Sequence, residues 1–317
     1  METELTLTDQ LNFVADSIDK KVIGSRRIVR FMFISLFTGN HILMEGVPGL
    51  AKTMLASEFS KYLGLNFKRI QFTPDMLPSD ITGNMVYNLE EKKMQFREGP
   101  IFSNLILADE INRTPPKVQS ALLESMEEKQ VSVYGVSRNL PDPFFVIATQ
   151  NPIEQEGTFP LAEALMDRFL FRYFLTYPSY VDEIRILSSI YENKYLDHHI
   201  MKPDEISELR KSAKKIYISK DIIEYVVNII RKSRENNLVY LGASPRTSVK
   251  YMQATRANAM ISGRNYVIPE DVIYLSREML NHRLILKPEA FIDNENDYQK
   301  ILYRVIDNIV SSVDVPK

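Results

Sequence analysis

The sequence predicts an α/β domain to about Pro178, followed by an all-helical domain. Three observations carry this. Short apolar runs alternate with helical patterns through the first half, which indicates a parallel sheet covered on both faces. Beyond "TYPSYVDE" only helical spacing recurs. A chain of 317 residues also exceeds the usual size of one core, so two domains are expected, 1–178 and 179–317.

In chain order, "HILMEG" (His41 to Gly46) is an apolar run closed by glycine, and "AKTMLASEFSKYL" after it has helical spacing: strand, loop, helix. "FKRIQF" (Phe67 to Phe72), "NLILADE" (Asn104 to Glu110), "FFVIATQN" (Phe144 to Asn151) and "FLFRYFL" (Phe169 to Leu175) complete five strands, and Pro116 to Lys129 reads as a helix. Two hairpins are inserted, at Ile81–Gly99 around a charged turn and at Gln130–Leu140 about Gly135. After Pro178 no strand is expected. Helices are predicted at Tyr180–Tyr195, Lys202–Ala213, Ser219–Asn236, Ser244–Ser262, Pro269–Leu284 and Asp297–Val313.

Composition sets limits. Hydrophobic content of 44% with 25% charged residues is ordinary for a soluble globular chain. A net charge of -2 and a pI near 6.2 give no nucleic-acid footprint and no membrane-surface patch. The absence of cysteine excludes disulfides and thiolate metal sites. "METELTLTDQ" has no apolar signal-peptide region, and Phe31–Phe37 is too short to span a bilayer, so a cytoplasmic protein without membrane insertion is expected.

"GVPGLAKT" (Gly46 to Thr53) carries the first chemistry. A phosphate loop needs backbone N–H groups converging on an anion at a helix N-terminus, and Gly46 and Gly49 permit that approach. Lys52 is placed for the β- and γ-phosphates, and the Thr53 hydroxyl for Mg²⁺. A glycine-rich strand–helix turn would explain the glycines but not the Lys-Thr pair. Ala51 stands where the motif usually has its second glycine; if its φ is negative there, alanine is allowed.

"NLILADE" puts Asp109 and Glu110 at a strand end, where ligands of α/β sheets bind. Asp109 suits Mg²⁺ held through water and Glu110 suits polarising an attacking water. Asn151 ends the next strand and is placed to orient the water or touch the γ-phosphate. Arg168 lies between a helix and the fifth strand, where a surface salt bridge is the ordinary reading. In "GASPRTSVKYMQATRANA", Ser244 fits an N-cap and Pro245 the first helical position, so Arg246 falls in the first turn, aimed with the helix N-terminus at an anion. His198 and His199 are adjacent and make a poor chelate on a helix.

These segments, with "QFTPDMLPSDITG", "GPIFSNLILADEINRTPPKVQSALLESMEEKQV", "FFVIATQNPIEQEGTFPLAEALMDRFL" and "YVIPEDV", resemble the MoxR family of AAA+ ATPases over nearly the whole chain. The resemblance implies an AAA+ P-loop core with a five-stranded parallel sheet, a helical lid, ATP and Mg²⁺ as ligands, and a homo-oligomeric ring, typically a hexamer. It makes Gly46, Val47, Pro48, Gly49, Leu50, Ala51, Lys52, Thr53 and Met54 the nucleotide loop. Thr53 and Asp109 become metal-associated residues, Glu110 the Walker B acid and Asn151 sensor 1. Arg168 matches an arginine finger offered to a neighbouring subunit, Arg246 matches sensor 2, and Val22 and Ile23 match the segment that packs on adenine. The hairpins become a helix-2 insert and a pre-sensor-1 hairpin. "LAEALMDRF" departs from the commoner "LPEAQLDRF" but keeps Asp167 and Arg168.

The function so implied is ATP-driven remodelling of client proteins, in maturation, cofactor or metal insertion, or complex assembly, with a von Willebrand A domain partner. Two other classes remain open: a nucleic-acid-stimulated motor, against which the near-neutral charge counts, and a nucleotide-gated scaffold, which would not need Glu110, Asn151 and Arg168.

Overall fold

The computed structural model describes residues 6–152, 157–189, 200–291 and 297–316. The chain opens with two helices, α1 (Leu7–Lys21) and α2 (Arg26–Thr38). Thr6 and Asp9 close a capping box on α1, which satisfies two of the helix's otherwise unpaired N–H groups. Gly39 ends α2 in the left-handed conformation, at φ 68°. The next elements are β1 (His41–Glu45), α3 (Lys52–Tyr62), β2 (Phe67–Gln71) and a short α4 (Pro78–Thr82). The first hairpin is β3 (Gly83–Asn88) with β4 (Lys93–Glu98). Then come β5 (Leu105–Asp109), α5 (Pro116–Glu128) and the second hairpin, β6 (Gln130–Val133) with β7 (Val136–Asn139). β8 (Phe145–Gln150), α6 (Glu163–Met166) and β9 (Phe169–Phe174) complete the sheet region.

The five strands lie in the order β2-β5-β8-β1-β9, every pair parallel. Both faces are covered, as the unbroken apolar runs require. Ile42 and Met44 of β1 join one core cluster while Leu43 joins the other, and β5 and β8 divide their side chains the same way.

The remaining elements are α7 (Tyr180–Ser189), α8 (Pro203–Lys214), α9 (Lys220–Glu235), β10 (Val239–Leu241), α10 (Pro245–Ile261), α11 (Pro269–Leu280), β11 (Ile285–Leu286) and α12 (Tyr298–Ser311). β10 and β11 form an antiparallel pair, which corrects the expectation of a wholly helical second region. Three residues are too few to show a period of two, and the partner lies more than forty positions on in sequence, so no local pattern announces it. Gly242 lets the chain leave β10, because a Cβ there would sit 2.7 Å from the Arg234 Cα and from the Ser233 carbonyl oxygen.

The first core cluster continues from the sheet into these helices. Nine of the thirteen residues of α2 are buried. Its Phe31 ring stacks on Tyr274 of α11 at 5.4 Å, and Arg30 donates to the Asn258 amide oxygen at 2.8 Å. α2 is therefore the strut between sheet and lid. His198 and His199, and the predicted end of the Tyr180 helix, lie outside the described residues. No helix among the described residues is long and apolar enough to cross a membrane.

Candidate nucleotide site

β1 ends at Glu45 and α3 begins at Lys52, so Gly46 to Ala51 make the whole turn between them. Gly46 has no room for a side chain: a Cβ would stand 2.9 Å from the Leu175 Cβ and 3.0 Å from its carbonyl oxygen, where β9 closes over the loop. Gly49 sits at φ 87° with open space around it, leaving the loop's outer side accessible. Ala51 is at φ 50°, ψ 25°. The condition set by its sequence position, a negative φ, is not met. The left-handed residue turns the chain into α3, and for alanine this costs about 1–2 kcal/mol.

Lys52 folds back on the loop, its Nζ donating to the Gly46 carbonyl at 2.6 Å. Burial pushes its pKa down, opposed by the nearby Asp109, Glu110 and Glu45 carboxylates. Thr53 follows in the first turn of α3, half-buried.

The acids arrive on β5, separated from β1 only by β8. Asp109 is buried; one carboxylate oxygen accepts from the Thr149 hydroxyl at 2.5 Å, the other from the Arg69 guanidinium at 2.7 and 3.0 Å. Glu110 is the second left-handed residue of the site, at φ 59°, ψ 49°. Its backbone N–H donates to the Thr149 hydroxyl at 2.9 Å. Its side chain accepts from the Gln71 amide at 2.8 Å and from Arg113 at 3.1 Å. Asn151 follows β8 directly, buried between the acids and the loop, and the Gly46 N–H donates to the neighbouring Gln150 carbonyl at 3.2 Å.

Sequence reasoning missed Thr149, Arg69, Gln71 and Arg113. The register pairs Gln71 with Asp109 and Arg69 with Leu107, so alternation along β2 puts both long polar side chains on the side of the acids. Thr149 stands beside the equally polar Gln150 at the end of β8, so nothing local marks it.

Beside the loop lies a cavity of about 810 Å³. Val22 and Ile23, from the turn between α1 and α2, line one wall, and Pro48 to Ala51 with Met54 line another. Tyr177, just before α7, and Asp182 and Ile186 on α7 close it, residues the sequence had not marked for this role. The volume and the mixed lining suit a nucleoside. The Thr53 hydroxyl and the Asp109 carboxylate are the hard oxygen donors that Mg²⁺ takes alongside water and phosphate. The residues present thus fit a Mg²⁺-nucleotide.

Arg168 and Arg246 do not join this site. Phe169 pairs with His41, at the amino end of β1, whereas the loop leaves its carboxyl end. Four residues of strand separate the two edges, roughly 13 Å. Arg168 is ion-paired with Glu127 of α5. Arg246, expected to bind the nucleotide as sensor 2, lies beside Arg168, 3.7 Å from Asp167. The physical reason is the docking of the lid. Arg283 holds Asp167 at 3.2 Å and the Phe169 carbonyl at 2.7 Å, and Lys250 donates to the Asp167 carbonyl, so the start of α10 is fixed against the start of β9. Burial lowers the Lys250 pKa to about 7, with Arg283, Arg168 and Arg246 adding to the effect and Asp167 opposing it. Pro245 does open α10, but Ser244 makes no side-chain capping bond to its backbone.

Comparison with known proteins places this geometry. Residues 41–171 match the ATPase family associated with various cellular activities, and residues 231–303 match the AAA lid domain. The chain is 44% identical over 310 residues to the YeaC protein of Bacillus subtilis (strain 168), covering 96% of this chain and 95% of that one. It is 38% identical over 301 residues to the chaperone MoxR1 of Mycobacterium tuberculosis, covering 92% and 80% respectively. A protein named MoxR from Methylorubrum extorquens is 28% identical, with 86% of each chain covered. A solved structure of a candidate ATPase from Cytophaga hutchinsonii superposes with a TM-score of 0.88 at 38% identity, covering 98% of this chain and 96% of that one.

Proposed function

The chain belongs to the MoxR family of AAA+ ATPases, and we propose that it hydrolyses ATP to remodel client proteins as a ring of identical subunits. One observation carries the reading: Lys52, Asp109, Glu110 and Asn151 gather at the carboxyl ends of three adjacent strands beside the cavity, while Arg168 and Arg246 sit together at the opposite edge. A group that stabilises phosphate charge is of no use that far from its own nucleotide. Both arginines are useful to the next subunit, and head-to-tail contacts in a ring supply such sharing.

In this reading the loop backbone and Lys52 bind the β- and γ-phosphates, with the ammonium exchanging the Gly46 carbonyl for phosphate oxygens. Thr53, and Asp109 through water, would hold Mg²⁺, which when bound would neutralise charge on the phosphate oxygens. Glu110, fixed by Gln71 and Arg113, takes a proton from the attacking water, and Asn151 orients that water. Val22, Ile23 and Met54 enclose the base. Arg168 and Arg246 of the neighbouring subunit meet the γ-phosphate, a contribution of roughly 10³–10⁵ in turnover for arginine fingers elsewhere.

A relative is named a chaperone, which supports a protein client. A hexameric ring, a von Willebrand A domain partner and a cytoplasmic location complete the proposal. The test mixes two inactive variants. Lys52→Ala removes binding and Arg168→Ala removes the finger, so random mixed rings restore both residues at roughly a quarter of interfaces, by pairing of two subunit types around a closed ring. ATPase activity above that of either variant supports a shared site. No recovery despite verified subunit exchange, or wild-type turnover by assembled Arg168→Ala alone, overturns it.

A further inference from the structure

The side chain that would reach the neighbour is already held before any neighbour arrives. Arg168 follows Asp167, the C-terminal cap of α6, and its NH2 group meets the Glu127 carboxylate. Among the described residues Glu127 is the only acid paired with it. Asp167, one residue away, is taken by Arg246 and Arg283. The Arg168 Nε is buried with no acceptor, so among the described residues the Glu127 carboxylate is the acid that orients the guanidinium head. A guanidinium has five N–H donors, and one edge on a carboxylate leaves others for a phosphate.

Glu127 is itself well anchored. It lies in the last turn of α5 beside buried Met126, and Lys129 at φ 51° ends that helix directly before the β6–β7 hairpin. Its own side chain is 43% exposed. With the carboxylate partly in water and the Arg168 side chain 21% exposed, the pair contributes about 1 kcal/mol to stability. Its consequence is order: an arginine carries about 2 kcal/mol of rotamer entropy, and one held in advance gives up less when it meets an anion.

We propose that Glu127 is a positioning residue for hydrolysis, holding the Arg168 guanidinium of its own chain toward the γ-phosphate bound by the neighbouring subunit. This rests on the reading of Arg168 as a finger acting between subunits. The experiment compares Glu127→Gln, Glu127→Asp, Arg168→Ala and the double variant Glu127→Gln/Arg168→Ala, each assayed as assembled rings checked by sedimentation. Glu127→Gln is expected to lower kcat about tenfold with the KM for ATP unchanged. Glu127→Asp recovers part of the loss, and Glu127→Gln has no further effect in the Arg168→Ala background. If Arg168→Ala slows turnover while Glu127→Gln leaves kcat unchanged, raises it, or costs the same with and without Arg168, the positioning role is overturned and the finger stands. If Arg168→Ala itself has no effect, the finger reading fails, and the role of Glu127 with it.

Discussion

Ala51 offers a test in which sign as well as size is fixed by geometry. At φ 50°, ψ 25° its methyl is crowded against the following carbonyl, at a cost of about 1–2 kcal/mol that glycine would not carry. Glycine returns part of this gain through a freer unfolded chain, about 0.4–1 kcal/mol. Ala51→Gly is therefore expected to stabilise the protein by roughly 0.5–1 kcal/mol, the difference of those two ranges at their centres. Ala121 is the control. It lies half-buried in the interior of α5, where alanine is unstrained, so Ala121→Gly should destabilise by about 0.5–1 kcal/mol. Urea unfolding followed by circular dichroism reads both, through the shift in midpoint at a shared m-value. ATP affinity should change less than about tenfold, or roughly 1.4 kcal/mol, because the left-handed turn is formed before nucleotide arrives. Equal destabilisation by the two glycines would show that Ala51 is not left-handed in solution. A gain of a hundredfold or more in ATP affinity would show that its methyl obstructs the loop.

The two halves of the site should separate by calorimetry: Lys52→Ala loses ATP binding, while Glu110→Gln binds ATP and does not turn it over. Failure of a folded Glu110→Gln to bind would remove Glu110 from the role of base. Thr149→Val keeps the shape but strips partners from the Asp109 carboxylate and the Glu110 N–H, so stability should fall by roughly 1–3 kcal/mol and hydrolysis should slow; unchanged turnover would mean the hydroxyl does not arrange the acids. Burial drives the His41 pKa down to about 3, and that of His282 well below its usual value, so both stay neutral when folded. The unfolded chain takes up these protons as pH falls through about 6.5, and stability is lost progressively below that by about 1.4 kcal/mol per pH unit for each histidine kept neutral in the fold, for His41 down to about pH 3. Urea midpoints at pH 7.5, 6.5 and 5.5 check this; a midpoint that does not move below pH 6.5 refutes it.

What could be read in the sequence follows the range of the interactions. The central strands β1, β5 and β8 announce themselves because they are apolar on both faces, and the loop because its glycines and Lys-Thr are contiguous. The helices after Pro178 declare themselves through unbroken spacing. β10 and β11 do not, since each is too short to hold a period and gains its meaning only from the other. Gln71, Arg69 and Thr149 were equally silent: their partners Asp109 and Glu110 lie about forty positions away, and only the strand order brings them together. Ala51 is a different kind of miss. The sequence named the residue and the question, but the sign of φ belongs to the turn from β1 into α3, which no local pattern specifies.

Arg246 shows where local logic stops. Its place in the first turn of α10 follows from Ser244 and Pro245, and a guanidinium there is aimed at an anion whichever chain the anion belongs to. In the proposed reading the choice of chain follows from Arg283 and Lys250, which pin α10 to the Asp167 end of β9, and from the parallel register that sets that end opposite the loop. Were Arg246 to reach its own nucleotide, the lid would have to release Arg283, a guanidinium only 4% exposed and bonded to the Phe169, Leu170 and Met279 carbonyls as well as to Asp167. Stripping a buried cation of that many acceptors costs several kcal/mol. A second copy brought to the same edge leaves every one of those bonds in place, so sharing between subunits is the route of lower cost.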